Sequence, residues 1–310
     1  MHDENRALPP AASGAHARAR RLTWVLALTL AYMVAEIAGG LVSNSLALLA
    51  DAGHMATDAL ALSLAAFAGW FARRPPDPGR TFGYQRAEIL AALANGAILV
   101  LVCGFIFWEA IRRFGAPPEI RTGLMAGIAT GGLAVNAVAA WILHEHADEL
   151  NTRAAFLHVI GDLLGSIGTL VAAGAIAAFG WRWADPLASV AIGLVIVYGS
   201  VRLVLASIHV LMEGAPAHLD AEAIRHALLA LRGVSDVHDL HLWSLGGRAP
   251  LLTAHLVIDH SARAHDVLRA ATQELSSRFG IGHVTIQIEP PDFNIVGIGR
   301  PAVDAEKTSP

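Results

Sequence analysis

The sequence predicts an α-helical membrane protein with six transmembrane helices and a C-terminal cytoplasmic α+β domain, ferredoxin-like, in the order α-β-β-α-β. Three observations carry this. Charged residues make up 15% of the 310 residues and hydrophobic ones 55%, with mean hydropathy +0.50; a soluble domain carries about 25% charged residues. Six apolar segments, at about 22–42, 46–71, 86–111, 120–144, 154–179 and 184–211, are each near the ~20 residues that a bilayer span requires. After Glu213-Gly214-Ala215-Pro216 the composition changes to that of a small soluble module.

Residues 1–20 are polar, rich in Ala and Pro and basic toward their end, and read as a disordered tail. The first apolar run is long and lacks a small-residue cleavage site, so it is a retained span rather than a signal peptide. Only Ser43 to Ser45 separates it from the second, which makes those two helices antiparallel neighbours. Arginine sets the orientation. Arg6, Arg18, Arg20, Arg21, Arg73, Arg74, Arg80, Arg86 and Arg153 fall on the side of the N-terminus, whereas Arg112, Arg113, Arg121 and Arg182 fall on the other. That bias places both termini in the cytoplasm.

Net charge is −4, which gives nucleic-acid binding no electrostatic basis. Cys103 is the one cysteine, so an internal disulfide and a cysteine-based metal site are both excluded. Inside the spans stand Glu36, Asp51, Glu88, Asn95, Glu109 and Asn136. Glu88 and Glu109 are near span ends, where a charge reaches the interface. Glu36 and Asn136 are placed to line an aqueous path or to hydrogen-bond between helices, and the second, the ordinary role of a polar residue in a span, is the favoured expectation.

The chemistry concentrates at Leu46 to Asp58, LALLADAGHMATD, where Asp51, His54 and Asp58 project from roughly one helical face. Ala155 to Leu163, AFLHVIGDL, repeats the pattern with His158 and Asp162. Each His-x-x-x-Asp pair offers one imidazole and one carboxylate on adjacent turns. An ionisable group within a span costs about 2.5–3.5 kcal/mol on insertion scales and marks a functional site by default. Two such helices facing each other supply two nitrogens and two oxygens, a four-coordinate set suited to zinc.

The C-terminal module, 214–290, opens with Asp220 as an N-cap for a helix over 221–231. Val234 to Leu245 and Leu251 to Asp259 read as strands of a hairpin, Ser261 to Phe279 as an amphipathic helix, and Val284 to Glu289 as a last strand. Residues 291–310 read as a disordered tail. The four parts expected are therefore 1–20, 21–213, 214–290 and 291–310.

With these parts in view the chain resembles the cation diffusion facilitators, of the bacterial zinc exporter type. The residues that carry the resemblance are SNSLALLADAGHMATDALAL (43–62), FGYQRAEILAALANG (82–96), HVIGDLLGS (158–166), ADPLASVAIGLVI (184–196), HDLHLWSL (238–245) and TIQIEP (285–290). The resemblance implies a secondary transporter, not an enzyme, that exports zinc, and with it cadmium or cobalt, in exchange for protons. Its transport site carries over onto His54, Asp58, His158 and Asp162; His rather than Asp at 54 resembles the zinc-preferring members. It also implies a homodimer in membrane lipid, with Zn²⁺ as a regulatory ligand of the C-terminal domain. The candidates for that second site are His238, His255, His265, His283 and Glu289, with His241 weaker. Arg86 and Glu213 match positions that form a charge interlock in relatives. His144 and His146 stand where some members have a His-rich loop, and the loop Ala72 to Arg86 has Asp77 but no histidine, so no metal is expected there.

Two other functions fit parts of the chain. An intramembrane metallohydrolase needs a Glu base as in H-E-x-x-H, but His144-Glu145-His146 lacks that spacing. A metal sensor without transport leaves the buried pairs unexplained.

Overall fold

The computed structural model describes residues 11–144, 150–246 and 250–292; within them the side chains of 11–26, 143, 144, 150–155, 157 and 158 lie outside the description. Six long helices come first: α1 (Ala11–Ser43), α2 (Leu46–Ala72), α3 (Arg86–Gly115), α4 (Thr122–His144), α5 (Leu150–Phe179) and α6 (Ala184–Leu211). Helices α2 to α6 each contain a stretch long and apolar enough to cross a membrane, and the stretch Ala27–Ser43 of α1 is apolar as well. The chain is thus a multi-pass membrane protein. Helix α1 begins at Ala11, where a tail was expected to run to residue 20; the Ala/Arg composition of 11–21 favours a helix. Residues 1–10, 145–149 (with His146) and 293–310 lie outside the described residues.

The chain divides into two compact units, Met1–Ala65 with Ala94–Val204, and Ala66–Leu93 with Leu205–Pro310. In the first unit α4 packs against α1 and α5. Lipid tails are as apolar as Leu, so helices associate here through close packing and hydrogen bonds rather than exclusion from water. Small residues permit that approach. A Cβ on Gly39 would stand 2.7 Å from Ile128 Cγ1, and one on Gly193 2.7 Å from Phe107 Cε1. Ala47, Leu48, Met125, Ala129, Ala172, Ala173 and Ile176 close one core. The outward faces keep large apolar side chains such as Leu101, Phe105, Val171 and Val195.

One buried carboxylate ties this unit together. Asp185, in the first turn of α6, accepts from the Ser45 hydroxyl at 2.6 Å and from the amides of Leu46 at 2.8 Å and Ala47 at 3.1 Å. These are the first amides of α2, which no intrahelical carbonyl can satisfy. Arg113 Nη1 stands 3.7 Å from the same carboxylate and donates to the Asn44 carbonyl at 2.7 Å. Asn44, in the short α1–α2 turn, takes φ of 61°.

In the second unit α7 (Ala221–Leu229) is capped by Asp220, which accepts from the Glu222 amide at 2.9 Å. Strands β1 (Val234–Ser244) and β2 (Pro250–Ile258) pair antiparallel; helix α8 (Ala264–Phe279) then crosses over to β3 (His283–Glu289), parallel to β2. Gly280, at φ 69°, ends α8 in the left-handed conformation that a side chain resists. Ile224, Leu228, Leu242, Leu252, Leu256, Val267 and Leu275 fill a core between the sheet and the two helices, each burial contributing about 1.5–3 kcal/mol. Leu245 was expected in β1, which ends one residue earlier; residues 247–249 of the hairpin loop lie outside the described residues.

Between α2 and α3 an ordered turn forms around Asp77. Its carboxylate accepts from the Tyr84 hydroxyl at 2.5 Å and the Gly79 amide at 2.8 Å. The Tyr84 bond, above all, holds the Asp77 carboxyl below its ordinary pKa. In the same unit Arg86 Nη2 pairs with Glu213 Oε1 at 2.8 Å. Both side chains are substantially exposed, so the pair itself contributes only ~0–1 kcal/mol.

Candidate metal sites

His54 and Asp58 are four residues apart on α2, one helical turn, and His54 Nδ1 lies 3.5 Å from Asp58 Oδ2. Both side chains are about a quarter exposed. Asp162, on α5, is buried at 3% exposure. His158 lies on α5 one turn before Asp162, but its side chain is outside the described residues.

The contact of α2 with α5 sets their register. Gly165 stands directly against Asp51: a Cβ there would be 3.1 Å from Asp51 Oδ1. Successive spans alternate in direction, so α2 and α5 run antiparallel. Both rise about 1.5 Å per residue. Three residues on from Asp51 is His54, and three residues back from Gly165 is Asp162. Four residues further each way are Asp58 and His158. The two His-x-x-x-Asp pairs therefore occupy the same levels of adjacent antiparallel helices, each imidazole level with the other helix's carboxylate.

The second unit holds a separate cluster. His238 and His255 are directly paired across β1 and β2, their rings 5.1 Å apart. Glu289, fully buried at the end of β3, receives both: His238 Nε2 donates to Oε2 at 2.9 Å, and His255 Nδ1 lies 2.8 Å from Oε1 without hydrogen-bond alignment. Gln287 Nε2 also donates to Oε1 at 2.9 Å. A bulge interrupts β1 between His238 and His241, and Asp239 there takes φ of 47°. Bulges re-aim side chains beside functional sites, and this one brings Asp239 Oδ2 to 3.8 Å from His238 Nδ1. Ligand atoms of His238, Asp239 and His255 lie within 4.8 Å of one another. Two imidazoles with one or two carboxylates fit a zinc ion chemically.

The other histidines stand elsewhere. His265 is exposed at the start of α8, 3.6 Å from Asp266 Oδ1. His283 packs edge-on against Phe82 at 6.0 Å. It is at the far end of β3 from Glu289, and six strand residues span about 20 Å. His241 is exposed. The structure brings none of these three to Glu289. Asp239 was not among the residues expected; the only signal for it was its position beside His238.

Known proteins agree with this architecture. The family described as cation efflux transmembrane domain matches residues 22–212, and the one described as cation efflux protein, cytoplasmic domain, matches 216–291. A cadmium, cobalt and zinc/H(+)-K(+) antiporter of Bacillus velezensis is 44% identical over 269 residues, covering 85% of this chain and 86% of its own. Zinc transporter ZitB of Escherichia coli is 43% identical over 275 residues, 87% of each chain. The solved metal-bound C-terminal domain of the CzcD transporter from Cuprividus metallidurans is 39% identical and matches 23% of this chain and 99% of that one, with TM-score 0.22. The chain belongs to the cation efflux family, the cation diffusion facilitators, and is a membrane transporter of metal cations rather than an enzyme.

Proposed function

We propose that this transporter exports zinc from the cytoplasm in exchange for protons, through a tetrahedral site of His54, Asp58, His158 and Asp162 between α2 and α5. The observation that carries the reading is the register set by Asp51 against Gly165, which levels both pairs. Two imidazoles make the set softer than an all-oxygen site, which favours zinc, with cadmium and cobalt as competitors, over magnesium or manganese. The names of the relatives, a zinc transporter and a cadmium, cobalt and zinc/H(+)-K(+) antiporter, support the cargo and the exchange.

Proton coupling follows from the ligands. Zinc requires neutral imidazoles and ionised carboxylates, so protons compete with it for the same atoms. Protonation on the outer side releases the metal, and helices rearranging around a mid-membrane site return the protonated form inward. The arginine bias supports both termini in the cytoplasm of the cell membrane. We assign residues 21–213 to transport and 214–290 to the cytoplasmic domain, with residues 1–20, helical from Ala11 on, and 291–310 flanking them. The match of 216–291 to a cytoplasmic cation efflux domain supports the second assignment.

In that domain His238, His255 and Glu289, with Asp239, would hold a regulatory Zn²⁺. The ion would cross-link three strands, and in a homodimer it would favour one arrangement of the two domains over another. The test is zinc flux into vesicles containing purified protein, with and without a pH gradient. Flux that responds to the gradient and vanishes in His54→Ala supports the reading; flux indifferent to both overturns it.

A further inference from the structure

The turn between α2 and α3 carries charge that the proposed zinc sites do not use. From residue 73 to 86 stand Arg73, Arg74, Arg80 and Arg86, against one acid, Asp77. The apolar stretch of α2 ends at Ala72 and that of α3 begins at Arg86, so the turn lies where these two spans leave the bilayer. Asp77 is committed to the Tyr84 hydroxyl and the Gly79 amide, and Arg80 acts on it less than either. Arginine at this level is therefore left in surplus.

A cavity of about 610 Å³ opens beside the turn, within the second unit, inside the ~300–1,000 Å³ range of small-ligand sites. Arg80 and Arg86 line it together with Phe71, Phe82, Leu90 and Trp243. Arg80 is exposed, and its guanidinium stands 5.0 Å over the Tyr84 ring. No carboxylate lies within ion-pairing distance of it among the described residues. Arg86 gives Nη2 to Glu213 at 2.8 Å, while its Nε makes no hydrogen bond among the described residues. Arg74 lies over the Phe71 ring at 4.7 Å; a guanidinium stacked on a ring keeps its in-plane donors. Phe82 and Leu90 leave about half their surface uncovered. The cavity thus joins unspent guanidinium donors to uncovered apolar surface.

We propose that this cavity takes a phosphate group, held by Arg80 and Arg86, and that its source is an anionic phospholipid rather than free phosphate. The guanidinium fork matches phosphate oxygens two at a time. Free phosphate would leave Phe82 and Leu90 in water, whereas a lipid covers them with hydrocarbon. Leu90 lies one turn further into the span than Arg86, on the same helical face. A phosphate at Arg86 therefore lays the first carbons of its acyl chains along Leu90. The unpaired Arg80 selects a head of net negative charge over a zwitterionic one, as basic pockets at the cytoplasmic ends of spans do. Trp243 belongs to β1, the strand that carries His238. The bound lipid would touch both the turn and that strand, and so hold the sheet to the membrane surface. The phosphate site is independent of the zinc reading; only the choice of the cytoplasmic leaflet rests on the orientation assigned above.

The test is native mass spectrometry of delipidated full-length protein in detergent. It is titrated with phosphatidylglycerol, with phosphatidylcholine of the same chains, and with inorganic phosphate. One phosphatidylglycerol should bind roughly tenfold more tightly than phosphatidylcholine, and inorganic phosphate at equal concentration should not displace it. Arg80→Gln should weaken that first site roughly tenfold, and Arg80→Lys should keep part of it, as a point charge without the fork. Phe82→Ala should weaken the lipid as well. Arg278→Gln, the same loss of charge on exposed α8, should leave it intact. Arg80 is on the surface, so Arg80→Gln should unfold near the native temperature, which separates loss of the site from loss of the fold. Equal binding of the two lipids, or equal affinity in Arg80→Gln and Arg278→Gln, overturns the site. Displacement by equal inorganic phosphate, with Phe82→Ala unchanged, overturns the lipid as its occupant.

Discussion

Gly165 of α5 leaves room for the carboxylate of Asp51 on α2, so close that even a methyl group would meet Oδ1 at 3.1 Å. The contact is where the two helices carrying the His-x-x-x-Asp pairs are registered. Gly165→Val should therefore wedge them apart, an overpacking that costs about 1–3 kcal/mol, and reduce zinc flux at least tenfold. Gly168, three residues on, has nothing within 4 Å of an added Cβ, and Gly168→Ala should transport normally. Flux in vesicles and unfolding temperature read both; equal flux in the two variants would contradict the register.

Asp185 should act on α2 from a distance in sequence. Asp185→Ala removes the acceptor of the Ser45 hydroxyl and the Leu46 and Ala47 amides. It also leaves the largely buried Arg113 without its nearby carboxylate. Leaving a buried donor unsatisfied costs about 1–3 kcal/mol. The unfolding temperature should fall by several degrees, with Asp185→Asn intermediate because one oxygen remains. Native thermal stability in Asp185→Ala would show that the cap is dispensable.

In the cytoplasmic domain the proposed ligands separate from the bystanders. Glu289→Gln and His255→Ala should each lower zinc affinity of residues 214–310 at least tenfold, because Glu289 gathers both imidazoles. His283→Ala, packed on Phe82, and His265→Ala, exposed beside Asp266, should stay within twofold of native. Calorimetric titration with zinc checks this. A large loss in His283→Ala with none in Glu289→Gln would place the site elsewhere.

Much of this was legible in the sequence, for reasons that differ by element. His54, Asp58, His158 and Asp162 stand out because charge inside an apolar run is costly and rare. The element order of the cytoplasmic domain followed from alternation in its strands and from Asp220 at a helix start. Asp185 was not legible as a cap, since its partners are 138 to 140 residues away. Nor was Asp239, whose placement depends on a bulge that no residue type announces. His283 was attractive as a histidine in the right domain, but residue type carries no information on which end of a strand faces Glu289.

The turn after α2 gives a pH prediction. The Tyr84 hydroxyl holds the Asp77 carboxyl below its ordinary pKa, so this contact stabilises the turn above the unfolded carboxyl's pKa and the contribution is lost as pH falls through the folded one. Tyr84→Phe should move the Asp77 titration upward, toward the ordinary value. The Asp77 carboxyl carbon followed by NMR against pH checks it, and an unmoved midpoint would assign the depression to the backbone amides instead.

The most direct measurement of the central claim is zinc uptake and proton movement followed together in vesicles, for the native protein, His54→Ala and Asp162→Ala. Zinc moving one way should drive protons the other, and each substitution should abolish both movements, because each leaves three ligands where four are needed. Near-native zinc flux in both variants, or zinc flux with no counter-movement of protons, would contradict a single His₂Asp₂ site shared by the metal and the proton.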